Sequence, residues 1–255
     1  MSDSMLEDPC LKAVILAAGE GKRLRPLTGS LPKCLVPVGG KPLLGRMIEP
    51  LATAGVSEIV VVTGYFAEKV DEYLDGLRDL VVCSTVYNPR YNTANNYYSL
   101  LVAREALGRG PFLKLDGDVI FESEVIRRVV EGDGGIRLGV DFRDELGPEE
   151  MKVRIRFDGE SMKVAELSKE IDPARSHGES MGVEYISGES VEFLFRELQR
   201  MADEGLDDEY YEFAYNRLAQ NGHDVRAVDI SGLRSTEIDD IEDLRRAETL
   251  FGKKS

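Results

Sequence analysis

The sequence predicts an α/β fold of three layers, in which helices cover both faces of a mixed, mostly parallel central sheet and an antiparallel hairpin is added as a lid. Three observations carry this reading. Apolar strand-like runs alternate with helix-like amphipathic segments through roughly the first 130 residues. The first run, "KAVILAAG", is continuously apolar and ends in small residues and glycine, as a buried parallel strand entering a loop does. After about residue 131 the pattern changes to alternation of apolar and polar positions.

Taken in order, Leu43, Leu44, Met47, Ile48, Leu51 and Ala52 recur at helical spacing, and Gly55 supplies a C-terminal stop. "EIVVVT" is a second buried strand, followed by a helix in "AEKVDEYLDGL", a strand in "LVVCSTVYN", a helix from about Asn95 to Leu107 and a strand in "FLKLD". "MKVRIRFDGESMKVAELS" reads as a hairpin turning at Asp158-Gly159 with one wet face. "SMGVEYIS" is a further strand, "VEFLFRELQRMA" and "EYYEFAYNRLAQ" are helices, and "DVRAVDI" is a strand. A last amphipathic helix over about 240–251 sets Ile241, Leu244, Ala247 and Leu250 on one face. With no internal repeat and no Pro/Gly/Ser linker, a single domain over 12–255 is expected, its halves about 12–130 and 131–235, after a disordered tail at 1–11.

Composition narrows the chemistry. Hydrophobic residues at 42% and charged residues at 31%, without a low-complexity tract, describe a globular chain rather than a disordered one. No run approaches the roughly 18 apolar residues of a membrane span. The polar, acidic opening "MSDSMLEDPCLK" is unlike a signal peptide, so a cytoplasmic location without membrane partners is expected. A net charge of -15 argues against nucleic-acid binding. Cys10, Cys34 and Cys83 are scattered, and His177 and His223 are the only histidines, so a zinc cage or a serine–histidine pair has almost nothing to be built from. Carboxylates, cations and backbone amides must carry the chemistry.

Against that acidic background, residues 17–42 gather Lys22, Arg23, Arg25, Lys33 and Lys41 around glycines, with Glu20 the single acid. Gly19 and Gly21 leave the backbone of a strand-to-helix loop open to a polyphosphate. The loop is neither a Walker A sequence nor a dinucleotide fingerprint, and it also reads as a tight turn with solvated cations. The long segment "LRPLTGSLPK" projects Arg23 and Lys33 separately.

"AVILAAGEGKRLRPLTGSLPKCLVPVGGKPLL" resembles, along its whole length, the opening signature of the nucleoside-triphosphate nucleotidyltransferases that activate sugar phosphates and phosphoalcohols. The resemblance implies a Rossmann-like nucleotidyltransferase fold. It implies that Ala17, Ala18, Gly19, Glu20 and Gly21 wrap the triphosphate, and that Arg23 and Lys33 neutralise it. Asp118 in "LDGDVIF" and Asp239 in "TEIDDIEDL" match the family's metal-binding segments. Both are thus implied ligands of Mg2+, with Glu237 a third candidate and Asp116 on the nucleotide side. Taken by themselves, these segments also read as an acidic turn and as a helix N-cap on Asp239 or Asp240.

"YNTANNYYSLLVAREAL" is similar to the bacterial phosphocholine cytidylyltransferases and implies base and ribose contacts from Asn95, Asn96 and Ser99. For the acceptor, a cation box of Tyr185, Tyr210, Tyr211 and Tyr215 with Glu179 or Asp208 is one reading, and core tyrosines are the other; the chain lacks tryptophan. Lys152, Arg154 and Lys169 either hold the acceptor phosphate or line the wet face of the hairpin. The expected partners are therefore a nucleoside triphosphate, CTP by preference, a small phosphorylated acceptor, and optionally a second copy of the chain. A sugar-1-phosphate nucleotidyltransferase and a non-catalytic nucleotide sensor remain the alternatives.

Overall fold

The computed structural model describes residues 11–77 and 81–252. Strand β1 (Lys12–Leu16) opens into three short 3-10 turns, and two small strands, β2 (Pro37–Val38) and β3 (Lys41–Pro42), lead to helix α1 (Leu43–Ala54). Gly55 ends α1 with φ 93, the left-handed stop that its position predicts. There follow β4 (Glu58–Thr63), α2 (Ala67–Asp75), β5 (Cys83–Tyr87), α3 (Asn96–Val102) and α4 (Arg104–Leu107). The helix expected over about 95–107 is thus broken at Ala103. Next come β6 (Phe112–Asp116), β7 (Val119–Phe121), α5 (Ser123–Glu131) and β8 (Ile136–Asp141), then the hairpin β9 (Lys152–Asp158) and β10 (Ser161–Ser168), and β11 (Gly178–Ile186). Helices α6 (Gly188–Asp203) and α7 (Glu212–Gln220), strands β12 (Val225–Asp229) and β13 (Ser235–Glu237), and helix α8 (Ile241–Phe251) complete the chain.

Among the described residues nine strands form one sheet in the order β5-β4-β1-β6-β11-β8-β12-β10-β9. Within it, only β11 and β10 run against the rest. The hairpin, which turns at Gly159 (φ 60), continues this sheet through β10–β12 pairing, and β9 also pairs with β11. β8 and α5, which polar and glycine interruptions hide in the sequence, belong to the body of the fold.

Alternation along each strand feeds two cores, one per face. Ala13, Ile15, Ile59, Val61, Leu113 and Leu115 pack with α1, α5 and α8; Val14, Val60, Val62 and Phe112 pack with α3, α6 and α7. The layers are helix, sheet, helix. Leu11, placed in the expected tail, is buried in the first core, while residues 1–10 of that tail, with Cys10, lie outside the described residues. Cys34 and Cys83 are free thiols, and burial pushes Cys34 up to about 12. On α8, Leu244 and Ala247 face inward, whereas Leu250 is exposed, so the expected apolar stripe is shorter by its last residue. Among the described residues no helix is long and apolar enough to cross a membrane.

Candidate active site

β1, β6 and β4 run in parallel and end at one edge of the sheet, where open α/β folds bind their ligands. Their loops, with the segments before α7 and α8, line an open cleft of about 550 Å3 bordered by Gly19, Gly21, Arg23, Lys33, Asn95, Asp118, Asp208 and Asp239. A second cavity of about 290 Å3 adjoins it and reaches Ala18, Asn96, Ser99, Asp116, Lys169, Tyr210 and Glu237.

Lys33 is the centre of this arrangement. Its Nζ donates to Asp118 Oδ2 at 2.6 Å and to Asp239 Oδ1 at 2.7 Å. Burial alone would lower this ammonium, but the two carboxylates more than reverse that and hold it above its ordinary value. Burial likewise pushes Asp239 up, and the charges of Lys33 and Arg23 outweigh it, so Asp239 stays below the usual carboxylate range. Arg23 Nη2 meets Asp239 Oδ2 at 2.5 Å and its Nη1 lies 3.5 Å from Glu149 Oε2.

The loop geometry explains how Lys33 arrives there. Gly21 has φ 62, and a Cβ on it would stand 2.8 Å from Lys33 Cβ, so glycine lets the lysine stem pass. A methyl group on Gly19 would meet nothing within 4 Å, so the backbone there stays open to the cavity. Ala17 and Ala18 are buried behind it, their backbone tied to Val62 and Tyr65. Glu20 faces Lys22 and Arg25 at the rim.

Carboxylate oxygens of Asp118, Glu237 and Asp239 all lie within 4.8 Å of one another. Asp118 Oδ1 is buried and without a hydrogen-bond partner. Glu237 reaches solvent, yet its carboxyl is crowded by protein; the loss of water, and then the charges of Asp118 and Asp239, push it well above the usual range. Three converging hard oxygens, one of them orphaned, fit a divalent cation such as Mg2+ or Ca2+. The helix-cap reading of "EIDDIED" also holds, on the neighbouring residue: Asp240 caps α8 in a capping box with Asp243. Asp239 is thereby left for the site.

The asparagines have local work as well. Asn95 caps α3 through Asn96 N (2.8 Å), and its Nδ2 donates to the Asp208 carbonyl at 3.1 Å. Asn96 Oδ1 accepts from Tyr211 N at 3.1 Å, and buried Ser99 Oγ accepts from Asn88 Nδ2 at 2.9 Å. All three line the cavities. Asp207, which no sequence signal marks, accepts from Arg90 (2.5 Å) and the Tyr97 hydroxyl (2.8 Å) and ties the 207–211 segment to the stretch between β5 and α3 and to α3 itself.

The acceptor candidates separate. Lys169 and Tyr210 share the smaller cavity, with Lys169 Nζ 5.2 Å from the Tyr210 ring centre. Glu179 lines a third space of about 290 Å3 beyond Arg23, paired with Arg143; burial pushes it up to about 7 against the pull of that arginine. Lys152 is buried, donating to the carbonyls of Lys169 (2.7 Å), Glu150 and Pro148, and lines none of these cavities. Arg154 pairs with Glu166 on the sheet, and Tyr185 stacks with Arg137 away from the cavities. Tyr211 and Tyr215 are core residues, and the cation that Tyr211 faces is the chain's own Lys114, whose Nζ is 3.5 Å from the ring centre. The Tyr211 hydroxyl lies 2.8 Å from Asp116 Oδ2 and 3.2 Å from Glu184 Oε1. Burial, and then the charge of Asp116, raise Glu184 against the pull of Lys114, and burial raises Asp116 likewise. A lysine within the otherwise apolar "FLKLD" is the signal that could have marked this cluster.

A family model described as the MobA-like NTP transferase domain matches residues 13–135. CMP-5'-(3-aminopropyl)phosphonate synthase of Streptomyces rubellomurinus is 34% identical over an alignment of 258 positions that covers 94% of this chain and 39% of that protein. Choline-phosphate cytidylyltransferase of Streptococcus pneumoniae is 40% identical over 106 residues, 42% of this chain and 44% of that protein. The chain thus spans less than half the length of these curated relatives. A solved structure of CTP:phosphocholine cytidylyltransferase from Streptococcus pneumoniae superposes with a TM-score of 0.76 at 26% identity, covering 94% of this chain and 98% of that one.

Proposed function

We propose that this chain, whose residues 13–135 match the MobA-like NTP transferase domain, is a nucleotidyltransferase that transfers CMP from CTP to a small acceptor carrying a phosphonate or phosphate and a short cationic chain, and releases pyrophosphate. The observation that carries the reading is the Lys33 ammonium held between Asp118 and Asp239 beside an open glycine loop. The two relatives, a CMP-5'-(3-aminopropyl)phosphonate synthase and a choline-phosphate cytidylyltransferase, support the cytidine nucleotide and the acceptor class.

An acceptor oxygen attacks the α-phosphorus of the nucleoside triphosphate in line, a new P–O bond forms, the α–β bridging P–O bond breaks, and pyrophosphate leaves with the electron pair. No general base is needed, since a phosphate monoester with a second pKa of about 6 is already mostly dianionic at neutral pH. Catalysis then rests on holding two anions together and neutralising developing charge. Backbone amides at Gly19 and Gly21 receive the triphosphate, and Lys33 and Arg23 exchange their carboxylate partners for phosphate oxygens. Asp118, Asp239 and Glu237 would hold Mg2+, which supplies charge neutralisation at the phosphates. Asn95, Asn96 and Ser99 line the base side. Lys169 and Tyr210 take the acceptor's anionic end, while Asp141, Glu150 and Glu179 beyond Arg23 suit its cationic end.

The test is pyrophosphate release from each of CTP, UTP, ATP and GTP with Mg2+ and a panel of aminoalkylphosphonates, phosphocholine, phosphoethanolamine, inositol phosphate and sugar 1-phosphates. Turnover is expected with CTP and a cationic acceptor. Reaction with a non-cytidine nucleotide alone removes the cytidylyl assignment, and CTP binding without turnover on any acceptor favours a nucleotide sensor.

A further inference from the structure

Below the cavity lies a charged cluster that the transfer chemistry does not use. β6 and β11 set Lys114 and Glu184 directly opposite each other. Lys114 is 0% exposed, with Nζ 2.9 Å from Glu184 Oε2 and 3.0 Å from Asp116 Oδ1. Its neighbour on β1 is Val14, and Phe112 shares its face of β6, so the surroundings are those of an apolar strand. Replacing a buried ion pair by apolar residues of similar size is often neutral or stabilising. Folding therefore gives little reason for a lysine here, and its reason lies in what it touches.

It touches Asp116, which is gripped from three sides. Lys114 holds Oδ1, the Tyr211 hydroxyl donates to Oδ2 at 2.8 Å, and Gly182 presses from behind. A Cβ on Gly182 would stand 2.4 Å from Asp116 Oδ2. Asp116 opens the turn to Asp118. Gly117 within that turn packs so closely on β1 that a Cβ would stand 2.4 Å from the Leu16 carbonyl oxygen. The Asp118 carbonyl then accepts from Ile238 N at 3.0 Å, between Glu237 and Asp239.

The geometry points to Lys114 as a positioning residue: its ammonium, with the Tyr211 hydroxyl, fixes Asp116 at the cavity floor and thereby sets the turn that presents Asp118 to the nucleotide and its cation. This rests on the transferase reading of the cavity. Lys114 reaches no substrate and acts through Asp116.

Two variants separate positioning from folding. Lys114→Met alone leaves Glu184 and Asp116 without their cation and lowers Tm. Lys114→Met with Glu184→Leu removes both charges of the cross-strand pair and regains Tm. In the folded double variant kcat for pyrophosphate release is expected to stay about 10- to 100-fold down, the scale for groups that orient ligand-holding carboxylates. KM for the acceptor should change less, and the Tm rise on adding Mn2+ alone should shrink. Should the double variant fail to fold, Tyr211→Phe keeps the ion pair, removes the hydroxyl's grip on Asp116 together with its contact to Glu184 Oε1, and is expected to show the same split to a smaller degree. A folded variant with wild-type kcat and wild-type Mn2+ response overturns the proposal. If the wild-type protein releases no pyrophosphate with any pair of substrates, the transferase reading fails instead, and the Mn2+ response, read without substrate, still decides the role of Lys114.

Discussion

Lys33 is held between carboxylates at 2.6 and 2.7 Å, and these charges face each other directly once it is removed. Lys33→Ala should lower the rate of pyrophosphate release by about 100- to 1,000-fold, the scale of losing one preorganised charge at a reacting phosphate. Because a divalent cation can replace the missing charge, added Mg2+ should raise the Tm of this variant more than that of the wild type; an equal rise in both would place the cation elsewhere. Glu179 gives a second check, through pH. Its carboxyl is buried and raised from 4.5 to about 7. The folded state therefore binds this proton more tightly than the unfolded chain. The resulting stability is fully present below about pH 4.5 and is lost as the pH rises through about 7. Glu179→Gln keeps the neutral form at every pH. Its stability should thus gain on the wild type as the pH rises from about 4.5 past about 7, by on the order of 3 kcal/mol, read as a Tm difference that grows with pH. A difference independent of pH refutes this assignment.

At the scale of elements, the loop after β1 separates two uses of glycine. At Gly21 a methyl group collides with the Lys33 stem, and φ 62 is strained for any side chain. At Gly19 a methyl group meets nothing within 4 Å. Gly21→Ala is expected to lower both Tm and activity, the strain costing about 1 kcal/mol. Gly19→Ala should keep its Tm and, on the proposed nucleotide role of this loop, lose CTP affinity, measured by calorimetry, because the added carbon would stand where phosphate approaches. Retained CTP affinity in folded Gly19→Ala would remove the loop from the nucleotide site. The same scale shows how legible the elements are. "KAVILAAG", "EIVVVT" and "FLKLD" are apolar runs bounded by turn residues, and they lie at β1, β4 and β6. "IRLGVD" carries an arginine and a glycine in six residues and does not read as a strand, yet pairing with β11 and β12 makes it β8, a central one. The break at Ala103 between α3 and α4 has no Gly or Pro to announce it.

For the whole molecule, the parts of the site are distant in sequence: Lys33 is 85 residues from Asp118 and 206 from Asp239. The fold and the site are therefore coupled, and ligands should stabilise the entire domain. CTP with Mg2+ at about 100 times Kd should add about 2.7 kcal/mol to the unfolding free energy, seen as a rise in Tm. Chelation by EDTA should abolish both that rise and pyrophosphate release; turnover that survives EDTA argues against a cation held by Asp118, Glu237 and Asp239. The sequence by itself determined the alternation of strands and helices, the open glycine loop, and the candidates Arg23, Lys33, Asp118 and Asp239, because each is written in a short contiguous stretch. Only the tertiary structure decided that Asp240 caps α8 and leaves Asp239 to meet Lys33, that Lys152 is spent on backbone carbonyls, and that Lys114 faces the Tyr211 ring. The cap is local, but the meetings of Asp239 with Lys33 and of Lys114 with Tyr211 join residues far apart in the chain, and local pattern carries no information about which distant side chain a buried charge will find.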